Sequence, residues 1–78
     1  MKYIQGLIEK RGYNMDAYDW MAICEHCSLQ VDRPDCTEDE YDKYSRIRFL
    51  AYQIYSELTQ PIGEPLDIIK GKLLEELE

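Results

Sequence analysis

The sequence predicts an all-α protein, a compact three- or four-helix bundle, and three observations carry that expectation. Apolar residues recur at helical spacing through nearly the whole chain. Capping residues, prolines and glycines interrupt the pattern at intervals suited to helices. No stretch alternates apolar and polar residues in strand fashion between turn signals. Narrow apolar stripes of this kind leave water only by packing against one another, which makes a bundle the expected architecture.

A first helix is expected over about residues 2–11, with Ile4, Leu7 and Ile8 on one face and Gly12 just past its end. Asn14 fits the N-cap of a second helix, its side-chain oxygen taking a backbone N–H that would otherwise go unmet. That helix should run to about Leu29. At about 100° per residue, Ala17, Trp20, Met21, Cys24 and Cys27 share a stripe, joined by Val31 if the helix reaches it.

Residues 30–35 read as a loop around Pro34. Thr37 and Glu40 then form a capping-box pattern, and carboxylates in that first turn suit the helix dipole. The third helix, over about residues 38–59, is the longest and would span roughly 33 Å. Its stripe is Tyr44, Ile47, Ala51, Ile54 and Leu58, flanked by Leu50 and Tyr55. Pro61 and Gly63 stop it. Pro65 fits the first turn of a fourth helix carrying Leu66, Ile69, Leu73 and Leu77. Gly71, with Glu75, Glu76 and Glu78 at the wrong end of the dipole, makes this helix the weakest of the four.

The 78 residues are expected to form one helical domain, 1–78. At that size a single core supplies only ~3–5 kcal/mol, so a homo-oligomer or a bound partner is a natural expectation. A hydrophobic fraction of 45% with 32% charged residues argues against disorder. The net charge of −7 opposes direct nucleic-acid binding, which relies on lysine and arginine against phosphate, and instead favours a protein partner with a basic surface. Charges interrupt every apolar run too often for a membrane span, and residues 1–11 lack the apolar core of a signal peptide. With three cysteines, a reducing cytoplasm is the expected location.

Cys24-Glu25-His26-Cys27, followed by Cys36, admits three readings. A redox C-x-x-C needs its first thiol at a helix N-terminus after a strand, whereas this one lies within an amphipathic helical pattern. A zinc-stabilised domain through Cys24, Cys27 and Cys36 is the alternative. His26 points about 200° away from Cys24, so a fourth ligand would have to come from Asp32, Asp35 or elsewhere. The favoured reading makes Cys24 and Cys27 small apolar core residues beside Trp20 and Met21, with His26 at the surface and no metal or cofactor. No nucleophile–base pair or phosphate-binding glycine loop is present either, so a non-catalytic protein is expected.

Two features point toward a partner. Asp32, Asp35, Glu38, Asp39, Glu40 and Asp42 are opposed in their own stretch only by Arg33, while Lys43, Arg46 and Arg48 follow. Such a segment caps a helix well, and it also resembles the phosphate pattern that a basic groove recognises. Phe49 falls on the polar face of the third helix with Asp42, Ser45, Arg46, Gln53 and Ser56, where it is either covered by another helix of the same chain or exposed as an anchor for a partner; in the second case Tyr52, nearly a turn on, extends it into an aromatic patch. The expected function is a small acidic interaction module, an inhibitor or adaptor of the phage host-takeover or anti-defence kind, acting on a basic, nucleic-acid-binding protein. A helical assembly subunit is the remaining alternative.

Overall fold

The computed structural model describes residues 2–12, 15–63 and 65–77. Four helices follow in order: α1 (Lys2–Arg11), α2 (Ala17–Val31), α3 (Glu38–Thr59) and α4 (Leu66–Leu77). The fold is an all-α bundle, with no strand among the described residues.

Local chemistry accounts for the helix ends. Gly12 adopts φ 56°, a left-handed conformation that lets the chain leave α1 without a Cβ clash. The cap expected at Asn14 lies outside the described residues. Instead α2 begins after Asp16, whose carboxylate accepts the Asp19 N–H at 3.0 Å while Asp19 accepts the Asp16 N–H at 3.2 Å. This reciprocal pair is a capping box built from two aspartates. The helix then continues two residues beyond Leu29, to Val31.

Thr37 caps α3 as expected, its hydroxyl accepting the Glu40 N–H at 3.2 Å. The reciprocal half of that box differs from expectation. The Glu40 carboxylate accepts from the Thr37 hydroxyl at 3.2 Å and from the Arg33 guanidinium at 3.0 Å. Pro65 sits one residue before α4, its carbonyl accepting the Ile69 N–H at 3.3 Å.

α3 is the central element, packed along both α2 and α4. Its inward side chains Tyr44, Ile47, Ala51 and Ile54 are buried, and they meet Trp20, Ile23, Cys24 and Cys27 from α2 and Ile69, Leu73 and Leu77 from α4. Each fully buried isoleucine or leucine contributes roughly 1.5–3 kcal/mol relative to exposure. α1 closes the bundle through Ile4, which is fully buried, and through the Gln5 side-chain amide, which donates to the Leu77 carbonyl at 2.9 Å.

Two core assignments depart from the sequence pattern. On α2 the buried face is turned toward Ile23, leaving Met21 and Ala17 half-buried. Tyr3 of α1 stacks on His26 with ring centroids 4.4 Å apart, and His26 is half-buried rather than a surface residue. On α3, Leu58 is exposed and Glu57 is buried in its place. Both Glu57 carboxylate oxygens lie 3.3 Å from the Ile62 N–H and accept from it, anchoring the turn that leads to α4.

Candidate functional site

The acidic segment spans the end of α2 and the first turns of α3. Asp32 is the residue that closes α2. Asp32, Asp35, Glu38, Asp39 and Asp42 are exposed, and Glu40 is half-buried. Arg33 reaches across the loop to Glu40 at 3.0 Å and to Asp35 at 3.5 Å. Two of the six carboxylates are thus partly neutralised in place. Exposed pairs of this kind add little stability and mainly hold the loop against the helix start.

Phe49 and Tyr52 are on the solvent side of α3, 63% and 55% exposed. Phe49 stands between two shallow grooves. One, of about 350 Å³, runs between α2 and α3 and is lined by Cys24, Ser45, Arg48, Phe49 and Tyr52. The other, of about 450 Å³, lies toward α4, where Ser45, Arg46, Phe49 and Leu50 face Lys72 and Glu75. The ring is therefore a ridge with space on both sides. Tyr41, two turns before it, is also exposed.

The charge around the aromatic pair differs from that at the helix start. Arg48 lies in the same groove as Phe49 and Tyr52, and Arg46 and Lys72 border the other. Arg46 is already engaged, its guanidinium donating to Glu76 of α4 at 3.0 Å. The outer face of α3 therefore changes from acidic to aromatic and basic within about two helical turns. Sequence reasoning recorded the basic residues but did not connect Tyr41 and Arg48 with the patch. Their signal was positional, since Tyr41, Ser45, Arg48 and Tyr52 follow one another at three- and four-residue spacing.

Two of the three cysteines belong to the core. Cys24 and Cys27 are buried, and the Cys24 thiol donates to the Arg48 carbonyl at 3.6 Å. Burial raises the Cys24 pKa and pushes Cys27 up to about 12, so both stay protonated, the unreactive form, near neutral pH. Cys36 is half-buried in the loop, beside the Thr37 carbonyl at 3.5 Å. Among the described residues no three histidine, cysteine, aspartate or glutamate side chains converge as metal ligands do. Burial also lowers the pKa of His26, whose ring meets Tyr3 face-on and Tyr44 edge-on.

A further cavity, of about 210 Å³, lies among α1, α2 and α4 and is lined by Ile8, Met15, Trp20, Lys70, Leu73 and Leu74. Trp20 is buried, and its indole N–H meets no acceptor among the described residues. No described helix is long and apolar enough to cross a membrane. Comparison of this chain with protein-family models, with curated proteins and with solved structures finds no match.

Proposed function

We propose that this chain is a non-catalytic protein-interaction module, an inhibitor or adaptor, whose contact surface is the outer face of α3 with the acidic segment leading into it. The observation that carries this reading is Phe49. A large apolar ring, 63% exposed and flanked by grooves on a helix whose opposite side is core, is the form an interface anchor takes. Asp32, Asp35, Glu38, Asp39, Glu40 and Asp42 supply a field that favours a basic surface and speeds encounter with it. Tyr52 extends the apolar contact, its hydroxyl remaining able to hydrogen-bond.

The two parts of the surface act through different rates. Charges at a rim set association, so Asp39→Asn with Asp42→Asn slows binding and flattens its dependence on salt. An apolar anchor sets dissociation, and Phe49→Ala costs on the order of 2 kcal/mol of affinity while the fold is kept. The test is affinity capture of a partner, followed by surface plasmon resonance at two salt concentrations with thermal melts of each variant. Wild-type binding by Phe49→Ala and by the double charge variant would remove α3 as the contact surface.

A further inference from the structure

The exposed residues on the outer face of α3 are arranged symmetrically about Ser45. Counting outward from it, Arg48 corresponds to Asp42, Phe49 to Tyr41, and Tyr52 to Glu38. At about 100° per residue all of these lie within roughly 60° of the Ser45 direction, and hence on one side of the helix. Each is exposed, and Ser45 between them is half-buried in the two grooves. Inverting the helix about Ser45 therefore sets Asp42 opposite Arg48 and Tyr41 opposite Phe49, while Tyr52 meets Glu38, whose carboxylate can accept from its hydroxyl.

We propose that this face pairs with a second copy of the chain, the two α3 helices antiparallel about a two-fold axis at Ser45. The proposal rests on reading the outer face of α3 as an interface and names its occupant. The basic surface that the acidic half of α3 favours is present on the same helix, two turns further on. A two-fold contact requires a patch complementary to itself, which this face provides in one direction only. In the antiparallel pairing Asp42 of one protomer approaches Arg48 of the other, and Phe49 packs beside Tyr41. A parallel pairing would set Asp42 against Asp42 and Arg48 against Arg48, which like-charge repulsion opposes.

Charge availability supports the same occupant. Arg46 is engaged with Glu76, and Arg33 with Asp35 and Glu40, but Asp42 and Arg48 have no ion-pair partner among the described residues. They are the two opposite charges that the two-fold brings together.

The test is sedimentation equilibrium of the full chain over a concentration series, with thermal melts to confirm that each variant is folded. The expected result is a monomer–dimer equilibrium. Phe49→Asp and Tyr41→Asp, each changing an exposed ring, should weaken it about thirtyfold. Asp42→Arg or Arg48→Asp alone should weaken it about fivefold, and the two together should return it toward wild type. A chain that is monomeric throughout overturns the pairing, as does a dimer indifferent to Phe49→Asp and Tyr41→Asp. A dimer weakened by those variants, but not restored by the double reversal, overturns the antiparallel arrangement. If the chain is monomeric while Phe49→Ala still weakens capture of a basic protein, only the self-pairing falls. If Phe49→Ala alters neither association nor capture, the outer face of α3 is not an interface and both readings fall.

Discussion

Helix α3 presents two faces built from the same 22 residues under opposite constraints. Inward, Ile47, Ala51 and Ile54 are fully buried between α2 and α4, and their contribution is lost the moment a neighbouring helix departs. Outward, Phe49 and Tyr52 bring comparable apolar bulk, yet both remain more than half exposed. An interior residue stabilises the fold whether or not a partner exists. An exposed ring contributes little until another surface removes it from water. The difference separates the residues that make this protein fold from those it leaves open to solvent.

The largest test of that division is at the inner face. Ile47→Ala or Ile54→Ala should destabilise the fold by about 2–5 kcal/mol, measured by urea unfolding, since each leaves a cavity that neighbouring helices fill only in part. Loss of that size would unfold much of a chain this small. An effect below about 1 kcal/mol at both positions would mean that α3 is less tightly enclosed than its burial indicates.

Cys24→Ala and Cys27→Ala should each cost roughly 1 kcal/mol by loss of packing. A chelator should leave the melting temperature unchanged. Stoichiometric zinc in the purified protein, with unfolding on chelation, would instead move both thiols from packing to metal ligation. Thr37→Ala should cost about 1 kcal/mol through the lost cap on Glu40, a purely local effect that leaves both faces intact.

His26 should show a weaker and pH-dependent effect. Burial lowers its pKa in the folded chain, so the unfolded chain, titrating near about 6.5, takes up the proton first. Its contribution is fully present above about pH 6.5 and is lost as pH falls through the lower folded value. His26→Gln should remove that part of the pH slope in melts between about pH 7.5 and about pH 5.5. An identical slope in the variant would show that the Tyr3 stack does not shield the ring. The smallest effect is expected on the outer face. Phe49→Ala should change stability at low protein concentration by no more than about 0.5 kcal/mol, and a larger loss would make Phe49 a structural residue.

Much of this architecture was legible because helix starts and stripes are encoded locally. The limits of α3, its Thr37 cap and the burial of Tyr44, Ile47, Ala51 and Ile54 follow from residues within a few turns of one another. The pattern places Phe49 outside the stripe but leaves it either covered by another helix or open to solvent, and the packing of the helices leaves it exposed. Tyr41 and Arg48 were harder to place. Each has ordinary chemistry for an exposed helix, and only their position beside Phe49 and Ser45 makes them part of a self-complementary face.

The amino-acid sequence by itself determined an acidic all-α chain of three or four helices, the extent of its longest helix, and a Phe49 displaced from the core stripe. The tertiary structure decided what periodicity cannot express, namely how far around each helix its neighbours reach. Tyr3 of α1 stacks on His26 of α2, and Ile23 is buried in the core while Met21 is only half-buried. The turn after α3 aims the Ile62 N–H back at Glu57, so a carboxylate is buried where the stripe called for Leu58. Neither α1 nor α4 covers the outer side of α3, and Phe49 stays exposed. Local pattern sets which residues can share a face, but burial is a property of two surfaces in contact and is settled only where the helices meet.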